Sequence, residues 1–450
     1  MGYLADIARA SNTWRAPSCI ALPASAAHVS TILQALVPNN VTFAIRSGGH
    51  SPNEGFSNIK SPGVLIAMDK LNQVAFDAAS GLLTVGPGAR WGAVFAALDP
   101  HKVTVVGGRV TTVGVGGLLL GSGLSYLSDL YGLACDNVIE YEVVLAGGCI
   151  VKANNNRNPD LFWALKGGTN NFGVVTKFIT PTVDTIYQGW GGTLVFSIAQ
   201  LASVLQAFNT YQSAPNKDLY AALNINVVPN NYILVSIIYL KPVAQPAAYA
   251  PFFAIKPGPL QQSLQFANIH QLMALFTGDT GVTRWSWYAQ SFQPSSSLYA
   301  RIGSLLATAP EVATISALAS GTSVGTFQAI TSNMILVGNK RNAGTGGNAL
   351  GLQAVNQTWF TLNVNWKNAA DDTVAQAAAA SLHAKIKQLA IDEGVKLNYL
   401  FMNDANKAQD VLSSYGGANV NRLRMVQKMY DKAEVFQRLV PGGFKLPPPA

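Results

Sequence analysis

The sequence predicts a two-domain α+β protein, and three observations carry that reading. Up to about residue 180, short apolar strands alternate with glycine turns and a few helices. From about residue 185 the segments lengthen, as in Tyr220–Val228, Tyr232–Leu240 and Thr373–Leu389. That texture predicts an antiparallel sheet with helices on one face. Third, 450 residues exceed what one core ordinarily holds. With 49% apolar and 12% charged residues, large cores are easily filled. Every long apolar run is interrupted by polar residues or glycine, so no membrane span is expected. The formal charge of +8 is scattered along the chain, which argues against a nucleic-acid groove. It reads as a generally basic surface, or as attraction for anionic ligands.

Taken in order, Ala26–Leu36 is the first predicted helix. Val41–Ile45 reads as a short buried strand that runs into Arg46-Ser47-Gly48-Gly49-His50-Ser51. Glycines there permit a sharp turn and a close ligand. Successive amides in such a turn bind phosphate oxygens, and Arg46 adds positive charge. A second helix is expected over Arg90–Leu98. Residues 107–123 contain seven glycines in seventeen positions, too many for a stable helix interior. Two glycine-rich loops point to a large anion held by backbone amides. Neither has the G-x-G-x-x-G spacing, so a Rossmann turn is not expected. Tyr141–Leu145 and Cys149–Lys152 form a hairpin across Gly147-Gly148, and Asp160-Leu161-Phe162-Trp163 opens a helix. Lys166-Gly167-Gly168 reads either as charge near a ligand or as a solvated loop.

Further on, Trp359–Trp366 alternates. Thr361, Asn363 and Asn365 share one face; Phe360, Leu362 and Val364 share the other. The polar face either holds a substrate or meets water. Trp285, Trp287 and Tyr288 read as a core cluster or a stacking wall. Three cysteines, Cys19, Cys135 and Cys149, give neither a disulfide framework nor a zinc site, and no metal is expected. Cys135 and Cys149 read as small buried residues. Asn40 and Asn356 head Asn-x-Thr acceptors, and no signal peptide is visible.

Four ordered segments carry a resemblance: RSGGHSPNEG, GGRVTTVGVGGLLLGSGLSYLSDLYGLACDNV, NPDLFWALKGGTNNFGVVTKF and SYGGANVNRLRMVQKMYDKAEVFQRLVPGGFKL. They resemble the berberine-bridge-enzyme-like, FAD-linked oxidases of the vanillyl-alcohol-oxidase superfamily, fungal members above all. The resemblance implies a PCMH-type FAD-binding domain of two α/β subdomains over 1–184. A substrate domain with an antiparallel sheet flanked by helices would span 185–395, and a C-terminal segment over 396–450 would return to the first domain. It implies FAD bonded covalently through its 8α carbon to His50. Arg46, Ser47, Gly48, Gly49 and Ser51 would then cradle the phosphates. Many relatives add a second bond from a cysteine. Its position here is Val110, so a single link is expected. Val113 matches a position lining the oxygen pocket, or is a plain core valine. Gly114, Gly117, Gly121 and Gly123 match the diphosphate loop. Asn137, Gly173 and Val175 match the adenosine end, with a turn role open for Asn137. Relatives often pair Cys19 with an upstream cysteine that is absent here.

Fungal relatives often place an Asn-Tyr pair near the flavin, which falls on Asn403 and Asp404. Asp404 reads as the catalytic base or as a loop carboxylate, with Tyr399 and Tyr131 as fallback bases. The reading is an FAD-dependent oxidase. It would pass hydride from a small alcohol, amine or phenolic metabolite to FAD, with dioxygen reoxidising it to hydrogen peroxide. The alternatives are a redox-neutral cyclase or isomerase and a non-catalytic FAD-carrying binding protein. Partners would be the substrate and dioxygen, with no nucleic acid and no membrane, in a monomer or weak dimer. A secreted or vesicular location is implied by the resemblance alone.

Overall fold

The short strands of the first 185 residues build two separate sheets in the computed structural model, which describes residues 10–276 and 283–448. One is three-stranded and parallel, in the order β1 (Cys19–Ala21), β3 (Val64–Ala67), β2 (Phe43–Arg46). The helix Ala26–Leu36 precedes β2. Ser25 caps it by accepting from the His28 amide, and Val29 and Leu33, one turn apart, face the core. There they meet Phe43, Ile66, Val144 and Phe436. The other sheet runs β4 (Val74–Asp77), β5 (Leu82–Val85), β8 (Val174–Pro181), β6 (Glu140–Val144), β7 (Ile150–Ala153), all pairs antiparallel. The expected hairpin is the pair β6–β7, with Gly148 at φ +87 in its turn. Cys149 is exposed in that turn, contrary to the expectation of burial, because it stands outside the paired residues.

The long sheet follows, in the order β12 (Gln261–Gln262), β9 (Gln188–Ser197), β11 (Tyr232–Tyr239), β10 (Ala221–Val228), β15 (Thr322–Ile330), β16 (Gln357–Trp366), β14 (Arg284–Phe292), β17 (Lys396–Leu397), with β13 (Gln265–Asn268) also on β9. Every pair is antiparallel. Alternation decides the faces: Ile225, Phe327, Phe360, Leu362 and Val364 join one core with Phe208, Tyr299, Ile302, Ile315, Leu382 and Ile386. Those partners lie on the helices Leu201–Gln212, Ser296–Thr308, Pro310–Ser316 and Asp372–Asp392. Each large side chain so buried contributes roughly 1.5–3 kcal/mol, so a one-residue slip of β16 is strongly disfavoured.

By packing, the chain divides into two units. The first takes the described residues up to Thr185, then Leu336–Leu352, then those from Lys407 on; the second takes Ile186–Ile335 and Gln353–Asn406. The boundary read from sequence at 396 thus lies at 407, because Lys396 and Leu397 extend the long sheet beside β14. The strap 336–352 also differs from its expected domain. No described helix is long and apolar enough to cross a membrane.

Candidate flavin site

β2 delivers Arg46, fully buried, to the mouth of the first glycine loop. Gly49 takes φ +64, a turn that favours glycine. Gly48 is held for a different reason. A Cβ on it would stand 2.5 Å from both N and Cα of Gly114, and one on Gly114 would stand 2.6 Å from the Gly48 Cα. The two glycine loops therefore meet main chain to main chain. The Ser47 hydroxyl donates to the Pro87 carbonyl and accepts from the Gly116 amide at 3.2 Å. Arg90 is the residue that sequence reasoning missed. Its guanidinium donates to the Thr112 carbonyl, and its backbone bridges Gly114. Burial pushes its pKa down, Asp69 opposes that, and Arg46 adds to it. His50 is half-buried, with Nε2 3.4 Å from the Thr112 hydroxyl. Val110 and Val113 are half-buried in the same loop.

The second loop differs from expectation in one respect: Val115–Gly121 is a helix despite its glycines. Tertiary bonds outweigh the poor propensity. Val115 donates to Ala89 at 2.9 Å and Gly116 to Ser47, and a Cβ on Gly116 would lie 3.2 Å from Pro87. Beyond the helix the buried Ser122 takes φ +115 and Gly123 φ +77. Asn137 is buried and donates to the Tyr131 and Leu133 carbonyls at 3.0 and 2.9 Å, a turn-closing role. Lys166 is neither a solvated loop residue nor turned toward the loops. It is fully buried and donates to the carbonyls of Cys135 and Val138 at 2.8 and 2.7 Å. Val175 pairs with Val143 where β8 runs antiparallel to β6, Gly173 immediately precedes β8, and a Cβ on Gly173 would meet Val143 at 2.5 Å. Tyr131 places its hydroxyl 3.5 Å from that of Thr185.

The second unit gathers its own polar cluster on the long sheet's other face. Asp404 accepts from Gln328 at 3.0 Å and from Thr361 at 2.9 Å, both on Oδ2. Asn363 donates to the Thr326 hydroxyl at 3.1 Å, which donates to Asn226 at 2.8 Å. Asn365 stands apart and donates to the Ser320 carbonyl at 3.0 Å. Trp287 and Trp285 pair in register with Asn363 and Asn365 and meet edge-on at 6.3 Å. The expected aromatic trio is split, because alternation sends Tyr288 to the helix side, stacked on His383 at 4.8 Å. Tyr399 is buried, with its ring 5.0 Å from that of Trp359. Asn403 adjoins Asp404 in the turn Met402–Asp404.

Comparison with known proteins decides what this arrangement belongs to. Residues 17–154 match the FAD binding domain family. An FAD-dependent monooxygenase of Arthrobotrys oligospora is 36% identical over 98% of this chain and 85% of its own. The bifunctional solanapyrone synthase of Alternaria solani is 33% identical over 98% and 84%. The chain belongs to the berberine-bridge-enzyme-like FAD-linked oxidase family, in its fungal branch. The fold is also that of glucooligosaccharide oxidase from Acremonium strictum, whose FAD is 6-S-cysteinyl and 8α-N1-histidyl. That superposition has TM-score 0.82 at 18% identity, over 100% of this chain and 96% of that one.

Within this FAD-linked family the protein is an FAD-dependent oxidoreductase, and its loops fit the cofactor. Gly117 lies in the helix of the second loop. It is exposed, and a Cβ on it would meet nothing within 4 Å, so the protein's own packing does not account for a glycine there. A glycine at an exposed position leaves room for a close-lying ligand. Arg46 and Arg90, close enough to feel each other's charge, add positive charge at the first loop, where the Arg90 guanidinium lies 3.6 Å from a Cβ built on Gly48. No spacing rule joins Ser47 to Pro87 or Arg90 to Thr112. Those pairs arise only when loops distant in sequence come together.

Proposed function

We propose that the protein oxidises a small organic metabolite, an alcohol, amine or phenol, and reduces dioxygen to hydrogen peroxide. Bound FAD supplies hydride acceptance from the substrate carbon and return of the electron pair to oxygen. His50 would bond the 8α carbon of the ring and keep the cofactor in place. With valine at 110, no second bond of the 6-S-cysteinyl kind is available there. Arg46, Ser47, Gly48, Gly49 and Ser51 would hold the diphosphate from one side, and Gly114, Gly117, Gly121 and Gly123 from the other. Asn137, Gly173 and Val175 would shape the adenosine end. Val113 would leave room for oxygen.

On the second unit, Thr361 and Asn363 would contact substrate, with Asn365 at the rim. Asp404, oriented by Gln328 and Thr361, would take the substrate's hydroxyl or amine proton. Asn403 would assist at the cofactor. Tyr399 packs on Trp359 and Tyr131 sits beside Thr185, so both are weaker choices for the base. The observation that carries the proposal is the backbone contact of the two glycine loops with His50 at its edge.

The test is anaerobic mixing with a panel of alcohols, amines and phenols. Bleaching of the yellow band, followed in air by peroxide in step with oxygen uptake, is expected. Uptake of oxygen without peroxide, with heavy-oxygen label in the product, would assign instead the activity in the A. oligospora relative's name. Turnover without oxygen uptake would assign a redox-neutral cyclase, a reading favoured by the likeness to a bifunctional synthase. Flavin that no substrate bleaches would leave a binding protein.

A further inference from the structure

Two buried charges in the first unit have no part in the proposed chemistry, yet both hold the turn to which the far end of the second glycine loop is bonded. Ser122 holds φ +115, a conformation that a residue with a Cβ rarely adopts, and is fully buried. Its carbonyl accepts from the Cys135 amide at 2.8 Å, and that of Gly123 from the Ala134 amide at 2.8 Å. So the loop hangs from the turn 133–138. That turn is itself pinned by charge. Asp136 closes it by accepting from the Leu133 amide at 3.0 Å. The Lys166 ammonium bridges the Cys135 and Val138 carbonyls and lies 4.2 Å over the Phe162 ring. Asn342 and Asn348 of the strap 336–352 donate to Asp136 Oδ1 at 3.0 and 2.8 Å. A Cβ on Gly338 would stand 2.9 Å from the Asp136 carboxylate carbon, so the strap comes in at backbone range.

We infer that Lys166 and Asp136 are positioning residues for the flavin: they fix the turn that keeps Ser122 and Gly123 in their left-handed geometry. Burial makes each charge costly on its own, lowering Lys166 to about 8 and raising Asp136, while each favours the charged form of the other. An uncompensated buried charge is poorly tolerated, so loss of either partner disturbs the turn and not merely one bond. The inference rests on the flavin reading of the second loop.

The experiment compares Lys166→Met, Lys166→Arg and Asp136→Asn with Tyr299→Phe. Tyr299 belongs to a buried hydrogen-bond network of the other unit, with Gln212 and Thr358, and so reports plain loss of stability. Flavin per chain, visible circular dichroism of bound flavin and melting temperature are read on each. Lys166→Met and Asp136→Asn should lower flavin per chain at least fivefold or alter the visible dichroism, and Lys166→Arg should recover part of it. Tyr299→Phe should lower melting alone. If a charge variant does not fold, Asn342→Ala and Asn348→Ala, which loosen Asp136 without removing charge, must show the same flavin change. Unchanged flavin signals in folded variants would overturn the inference. A colourless wild-type protein would instead overturn the flavin reading beneath it.

Discussion

A methyl group separates three glycines of the site by role. At Gly48 and Gly114 it would collide with the opposite loop's backbone; at Gly117 it would touch nothing. Gly48→Ala and Gly114→Ala should each cost about 1–3 kcal/mol by overpacking, seen as a lower urea midpoint. Gly117→Ala should leave stability within about 0.5 kcal/mol of wild type, yet reduce flavin per chain. A Gly117→Ala protein with full flavin would remove the reason for reading that open space as cofactor room. Asp404→Asn tests the base at the same scale. It keeps the shape that Gln328 and Thr361 hold but gives up the proton acceptor. Turnover should fall roughly a hundredfold or more with flavin content unchanged. Near-normal turnover would return the role to Tyr399 or Tyr131. At this scale the strand-to-glycine turn that carries His50 was legible, because the apolar run and the two glycines adjoin it in sequence. Lys166 was not, because nothing in its neighbours in sequence shows that two carbonyls some thirty residues back will meet its ammonium.

At the scale of elements, the helix Asp372–Asp392 carries the clearest pH response. His383 is buried against Tyr288 and bonded to the Ala289 carbonyl at 3.2 Å. Burial lowers its pKa to about 4, with the carbonyl pulling the other way. The unfolded chain, near 6.5, takes up its proton first as pH falls. The stability associated with a neutral His383 is therefore complete above about 6.5 and lost as pH falls toward 4, on the order of 3 kcal/mol. His383→Gln should flatten the fall in urea midpoint between pH 6.5 and 4.5. An equally steep fall in that variant would place the acid sensitivity elsewhere. Elements were most legible where a period was clean: the polar and apolar faces of β16 follow its alternation directly. The helix Val115–Gly121 was hidden, since glycine composition speaks against it and the bonds from Ala89 and Ser47 that sustain it come from other segments. Hairpin and helix ends shifted by one to three residues, as boundaries do when caps set them.

For the molecule as a whole, the antiparallel sheet of the second unit was readable from its longer segments, whereas the parallel pairing of β1, β3 and β2 was not, since those strands are short and far apart in sequence. The passage of 336–352 into the first unit was not readable either, because its anchors, the Asp136 carboxylate, the Lys166 carbonyl and Asn419, lie far away in sequence and no motif marks them. Likewise the return at 407 depends on Lys396 and Leu397 pairing with β14, a contact invisible to composition. The account turns on one bond between His50 and FAD. Denaturing the purified protein in acid, pelleting it and mapping its peptides by mass tests that bond directly. The account predicts a yellow pellet, one His50-containing peptide heavier by FAD, and a colourless pellet from His50→Ala. A wild-type pellet without colour, or flavin mass on a peptide lacking His50, would contradict it.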